Sequence, residues 1–323
     1  MSRRRLIGLG TGVVAAAVLA PSVLGKKVAG ATTLDPDPPC VPPSGLLPEE
    51  RIGIQLYTVR DRISSLGFAK VFETLAATGF KEVEFAGYTQ GSVGPITVQQ
   101  IRQLMDDNGL RAVGSHASLT TANVQQKLDE AQILGMASIG NATTSSSSPT
   151  LSGWQAAADT YNQIGEACAA RGLKFYLHNH QTEFAPIADQ PTTRVYDVLL
   201  AETEADKVYF EMDIYWAYVG QYLFSRPPFG TFDPQSYLTA QPHRFPLFHV
   251  KDGKSNAQNP QGYDMVDVGQ GNIDFQTFFK KLDAADLPNH SYLNERDDAN
   301  GHPHGSLSSG LASYWWMRRG LKP

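Results

Sequence analysis

Lys174 to Phe184 reads KFYLHNHQTEF. Its first residues have the apolar and aromatic content of a strand. His178, Asn179, His180 and Glu183 then fall within six positions. Two imidazoles and a carboxylate where a strand runs out form part of a site only if other strands end the same way. The fold therefore turns on how the rest of the chain alternates.

From Arg51 onward, strand and helix patterns follow one another. Strands are expected at Ile52–Tyr57, Lys81–Phe85, Leu110–His116, Met136–Gly140, Leu173–His178, Lys207–Asp213, Phe245–Val250 and Ser291–Glu295. Helical spacing closed by Gly79 and Gly109 predicts helices over Phe68–Thr78 and Val98–Asn108. Others are expected near 121–134, up to Arg171-Gly172, near 192–202, over 275–285 and over 307–319. Eight such units between residues 51 and 323 match an α/β fold of the (β/α)8 TIM-barrel type, as a single domain. A doubly wound sheet is the competing architecture, but no Gly-rich dinucleotide turn accompanies these units.

A barrel of this kind gathers its chemistry at the C-terminal ends of the strands. The ends here carry Gln55 and Tyr57, Glu84, His116, Asn141, His178 with His180, Asp213, His249 with Lys251, and Glu295. Four strands of the second half thus supply His178 or His180, Asp213, His249 and Glu295. Mixed imidazole and carboxylate ligands suit one divalent metal ion (Mn, Zn, Co or Mg) and leave positions open for substrate oxygens. Taken singly, a strand-end Asp is more often a helix cap and a His a hydrogen-bonded structural residue. The coincidence on successive strands carries the reading.

At these residues the sequence resembles the sugar isomerase/epimerase superfamily built on the xylose-isomerase-like barrel, which also includes inosose dehydratases, hydroxypyruvate isomerases and endonuclease IV enzymes. The matching segments are IGIQLYTVRD, GFKEVEFAGY, HNHQTEF, FEMDIYW, FHVKDG, DVGQGNIDF and YLNERDD, running in order from Ile52 to Asp298. The resemblance implies metal ligands at Asp213, His249 and Glu295. His178 stands where many members have a glutamate, so the usual pair of carboxylates across the substrate is replaced here. In its place His180 is the expected general base, an imidazole being suited to proton transfer near neutral pH. His116 is a second base candidate and Lys251 a cation for an enolate oxygen. Glu84, Glu183, Trp216 and Tyr57 are expected to meet the substrate.

Residues 1–31 read as an export signal: Ser2 and three arginines, a Gly/Ala-rich apolar run from Gly8 to Leu24, and a small-residue exit near Ala31. The arginines resemble the twin-arginine class, which implies a periplasmic protein without stable membrane insertion after cleavage. Residues 32–50 read as a proline-rich linker. Removing 1–31 takes away five basic and no acidic side chains, leaving 22 against 32, a net charge of −10. Such a balance lacks the basic footprint of a nucleic-acid binder. A small carbohydrate is the expected partner, and homo-oligomerisation is compatible with the sequence. Neither a Gly-rich phosphate cradle nor an arginine cluster accompanies strands seven and eight, so an unphosphorylated sugar is expected. Cys40 and Cys168 are expected to be independent thiols.

Overall fold

Eight parallel strands form one sheet that curls until its edges meet. The computed structural model describes residues 45–225 and 230–322. The expected signal segment, most of the linker and Cys40 lie outside the described residues. The strands are β1 (Ile52–Gln55), β2 (Glu82–Phe85), β3 (Arg111–Ser115), β4 (Ser138–Asn141), β5 (Lys174–His178), β6 (Val208–Asp213), β7 (Leu247–Val250) and β8 (Ser291–Asn294). Around the sheet their order is β3-β2-β1-β8-β7-β6-β5-β4. The two ends join through a parallel bridge between His116 and Gly140, with the Ala117 N–H donated to the Gly140 carbonyl at 2.8 Å. This is a (β/α)8 barrel, and the doubly wound alternative falls away.

Side chains alternate along a strand, so every second residue points into the barrel. Its lower interior is an apolar layer of Val113, Tyr176, Leu247 and Leu293, separate from the main core. Small neighbours make room for these groups. A Cβ at Gly53 would lie 2.5 Å from the Leu293 side chain, and one at Gly140 would lie 2.4 Å from the Tyr176 carbonyl. Beneath, the buried Glu82 carboxylate pairs with Arg51 at 3.3 Å and Arg111 at 3.0 Å. Above the apolar layer the same alternation brings Glu84, His178, Glu211, Asp213 and His249 inward, all buried.

The outer helices are α1 (Arg60–Thr78), α2 (Val98–Asn108), α3 (Val124–Leu134), α4 (Leu151–Ala169), α5 (Val195–Glu202), α6 (Ile214–Phe224), α7 (Pro234–Ala240), α8 (Phe275–Phe279) and α9 (Ser306–Arg319). Thr97 opens α2 with a reciprocal cap to Gln100, and Gly109 closes it in the left-handed conformation. In α1, Gly67 at φ +80° separates a first segment from the expected Phe68–Thr78 run. α8 stops at Phe279, short of the expected 285. α6 is absent from the sequence expectation because IYWAYVGQYLF is apolar on nearly every side and shows no amphipathic period. None of the described helices is long and apolar enough to cross a membrane. Cys168, within α4, is a free and buried thiol.

Two antiparallel hairpins stand above the barrel, 186–187 with 190–194 and 252–255 with 263–266. The second is braced by Asp252, whose buried carboxylate accepts N–H groups from Gly253 (2.8 Å), Gly269 (2.9 Å), Gly271 (3.0 Å) and Ile273 (3.4 Å). A Cβ at Gly271 would meet that carboxylate at 2.1 Å. The glycines of DVGQGNIDF are thus explained by wrapping an aspartate. At the other end of the chain, Leu47 is buried and the Leu46 N–H bonds the Leu321 carbonyl at 3.1 Å.

Candidate active site

His178 at the end of β5 places Nδ1 3.0 Å from the Ala142 carbonyl. A carbonyl only accepts, so Nδ1 carries the proton and Nε2 presents a lone pair. His249 on β7 is oriented from the other side. Its Nε2 lies 2.7 Å from Glu84 and 3.1 Å from Glu211, so that nitrogen is the donor and Nδ1 faces the site. The two inward nitrogens are 3.1 Å apart. Asp213 Oδ2 lies 3.5 Å from His178 Nε2 and 3.7 Å from His249 Nδ1, while Glu295 Oε2 is 2.9 Å from the latter. Asp213 commits its other oxygen to capping α6 through the Trp216 N–H at 2.9 Å, leaving Oδ2 without a well-directed hydrogen bond.

Four donor atoms from β5, β6, β7 and the end of β8 therefore converge. Two of them are imidazole nitrogens whose remaining ring protons are tied down behind. Metal-binding histidines are held in this manner, with the far N–H on a carbonyl or carboxylate. The donor set fits a divalent ion. Positive charge already stands at these atoms: Lys251 Nζ is 2.8 Å from Asp213, 2.7 Å from Glu295 and 3.0 Å from Asp297.

The electrostatics agree. Burial opposes charge on Lys251, but Asp213, Glu295 and Asp297 outweigh it and raise its pKa well above the ordinary range. Burial likewise would lower His249, yet Glu211, Glu295 and Glu84 raise it well above normal. His178 is pushed down to about 4 by burial, which keeps Nε2 an acceptor. Burial would raise Asp213 and Glu295, but Lys251, with imidazole neighbours, holds both well below the usual carboxylate range.

One layer deeper lies a closed ring of four groups. Glu211 meets His116 at 2.8 Å, His116 meets Glu84 at 3.2 Å, and both glutamates flank His249. Tyr176 donates its hydroxyl to Glu84. Burial and the Glu211 charge raise Glu84. For Glu211 burial acts upward too, but His249 and His116 pull it down overall. His116 is raised by Glu84 and Glu211 against its burial.

Above the convergent atoms opens a cavity of about 390 Å3, lined by Tyr57, Ala86, His116, Ala142, His178, His180, Glu295 and Asp297. His180 sits at its rim, its ring 4.9 Å from His178 and 5.6 Å from Trp216.

The expected residues gather here, though not all in the expected positions. Glu84 lies beneath the cavity, behind His249, because it is two residues deeper on its strand than Ala86, which lines the wall. Glu183 turns both oxygens to the protein: one accepts from Thr144 at 2.6 Å, the other from the His180 N–H at 2.9 Å and Thr182 at 3.1 Å. It fixes His180 rather than offering an oxygen to a ligand. Trp216 is buried behind His180 and over Lys251, whose Nζ is 5.5 Å from its ring. Asn141 bonds both backbone groups of Leu119, outside the cavity lining.

Three residues escaped the sequence reading. Glu211 and Tyr176 sit two positions before Asp213 and His178, so strict alternation along each strand places them on the same inner face. Asp297, two residues beyond Glu295, offered no comparable signal because it lies past the strand. Arg296 turns away to Asp267 and Asp298, both at 2.7 Å. His302 pairs with Asp267 at 3.3 Å, and the GHPHG histidines join no metal-type cluster among the described residues.

Comparison with known proteins accords with the fold. The profile of the xylose isomerase-like TIM barrel family matches residues 72–319. Among solved structures, a sugar phosphate isomerase/epimerase from Parabacteroides distasonis ATCC 8503 superposes with a TM-score of 0.66 at 22% identity, over 83% of this chain and 93% of that one. The probable 3-DHS dehydratase of petrobactin synthesis from Bacillus anthracis gives 0.60 at 13%, over 83% and 98%. A D-allulose 3-epimerase from Methylomonas sp. gives 0.55 at 15%, over 85% and 98%. At these identities the likeness is one of fold. No curated protein matches the chain in sequence.

Proposed function

Because the chain belongs to the xylose isomerase-like TIM barrel family, we propose that it is a divalent-metal-dependent isomerase or epimerase of an unphosphorylated sugar or keto-sugar, moving a proton on the carbon beside a carbonyl. The observation that carries the reading is the convergence of His178 Nε2, Asp213 Oδ2, His249 Nδ1 and Glu295 Oε2, with both imidazole tautomers fixed from behind. An ion held there, Mn, Zn, Co or Mg, would supply Lewis acidity toward a carbonyl and its neighbouring hydroxyl.

The chain's own groups account for the rest. His180 at the rim takes the proton from carbon. His116, which lines the cavity with its ring 5.0 Å from that of His178 and whose pKa Glu84 and Glu211 raise against its burial, returns one. Lys251 opposes the negative charge that develops on oxygen. Neither an arginine nor a lysine stands among the lining residues, and Glu295 and Asp297 there would repel a phosphate. The imidazole at position 178 supports a second reading, elimination from a keto-glycoside. There His180 removes the proton, the electron pair expels the substituent on the next carbon, and His116 protonates it as it leaves.

The test is metal content of the purified protein beside Asp213→Ala, His249→Ala and His178→Ala, followed by exchange of carbon-bound hydrogen in D2O with sugars and keto-glycosides. One ion per chain, lost in each variant, with exchange in at least one sugar, is expected. Metal without exchange would leave a sugar-binding barrel, and no metal after reconstitution would overturn the enzyme reading. We further propose export through residues 1–31, giving a periplasmic protein. Its isolated form would then begin near Thr32, and an intact Met1 terminus in the cytoplasmic fraction would refute this.

A further inference from the structure

A second cavity of about 240 Å3 opens beside the central one. Tyr57 and Ala86 line both, so the two are neighbours along a shared edge. That edge is low. Ala86 is exposed, and the following Gly87, at φ +126°, has nothing within 4 Å of where a Cβ would stand. Of the two residues that line both cavities, Tyr57 alone has a large side chain.

Tyr57 is 41% exposed, unusual for a large ring on a pocket wall. It is nevertheless held in place. The Arg60 guanidinium lies 3.8 Å from its ring centroid and donates to the Tyr57 carbonyl at 2.6 Å and the Asp297 carbonyl at 2.8 Å. These bonds tie the wall of one cavity to a lining residue of the other. They use two of the five guanidinium N–H groups, and the Arg60 charge stays against the Tyr57 ring at the side of the second cavity. Its base is apolar, formed by Leu56, Ile63 and Phe68. An apolar base beside a fixed tyrosine ring suits an uncharged ring.

We propose that the substrate is a glycoside, with its sugar in the central cavity and a neutral ring-sized aglycone across Ala86 in the second, against Tyr57. This rests on the sugar reading above and narrows it: a free monosaccharide fills only the first cavity. It also favours chemistry on a sugar that still carries its substituent.

The experiment is calorimetric titration of the Mn2+-loaded protein with matched methyl and phenyl glycosides of glucose, galactose and xylose and of their 3-keto forms. In the wild type, the phenyl member of at least one pair is expected to bind 10-fold or more tightly. Thr89→Trp, at the exposed mouth of the second cavity, should erase that advantage while leaving methyl-glycoside binding and metal content unchanged. Thr89→Phe, a smaller obstruction at a residue that lines only the second cavity, should do the same and serves if Thr89→Trp does not fold. Equal binding of methyl and phenyl members, or an advantage that survives the folded variants, would overturn the second subsite and spare the sugar reading. Binding of no glycoside at all would overturn both.

Discussion

His178 Nε2 and His249 Nδ1 face each other at 3.1 Å, while the far nitrogens of both rings are bound to Ala142, Glu84 and Glu211. His249, its pKa raised well above normal, also holds a proton on Nδ1 and directs it toward His178 Nε2 and Glu295 Oε2. In the protein as described, His249 and Lys251 supply two positive charges against Asp213 and Glu295. An ion held there would take the place of the His249 Nδ1 proton, while Lys251 keeps its ammonium beside Asp213, Glu295 and Asp297.

Lys251→Met tests that balance. Without the ammonium, Asp213, Glu295 and Asp297 face one another with one cation fewer. Removing one partner from a buried charge network costs about 3–5 kcal/mol. The metal-free variant should melt well below the metal-free wild type. A metal should restore more stability to the variant than to the wild type, because the ion no longer shares its carboxylates with Lys251. Scanning calorimetry with EDTA and with Mn2+ measures both effects, and equal metal-induced shifts would sink the argument.

Glu84→Gln tests the support behind His249. The substitution keeps shape and removes the charge that accepts the Nε2 proton at 2.7 Å. Loss of such a partner typically lowers metal affinity about 10–100-fold. Glu211 remains at 3.1 Å, so the lower end of that range is expected. Competition against a chelator gives the number, and unchanged affinity would return Glu84 to the direct substrate role its strand-end position suggested.

How far the sequence carried this site depends on periodicity. The strands were legible because their apolar runs are short, those of β2 to β5 each follow a glycine, and helical spacing separates them. His178, Asp213, His249 and Glu295 were legible because strand ends in a barrel converge. Glu84 was misplaced by one layer, since a strand end read from sequence carries an error comparable with the two-residue period that separates cavity from support. Trp216 and Glu183 were misplaced for a different reason. Their roles are decided by α6 and by the turn after β5, where orientation follows from capping bonds that residue spacing does not reveal.

Asp252→Asn tests the brace next to the site. The carboxylate accepts four backbone N–H groups, and an amide can turn only one oxygen toward them. Leaving buried donors unpaired costs about 1–3 kcal/mol each. A loss of at least 2 kcal/mol in urea unfolding is expected, with the metal still bound because the four donor atoms lie on other residues. A variant as stable as the wild type would show that the glycine loop does not depend on this carboxylate.

His290 should make stability depend on pH far from the site. It is buried at the other end of the barrel, Nδ1 donating to the Phe245 carbonyl at 2.6 Å, and burial lowers its pKa below the ordinary 6.5. Above that value both folded and unfolded chains hold it neutral, and it contributes no slope. As pH falls below about 6.5 the unfolded chain takes a proton that the folded one resists, so stability drops until the lower folded pKa is reached and then levels. Site carboxylates also lose stability on acidification, which makes the difference between proteins the useful quantity. His290→Phe should be less stable at pH 7.5, since the Phe245 carbonyl loses its donor, but should lose less than the wild type between pH 7.5 and 5. Parallel urea curves at the two pH values decide it: equal losses in the two proteins would mean that His290 takes its proton without unfolding.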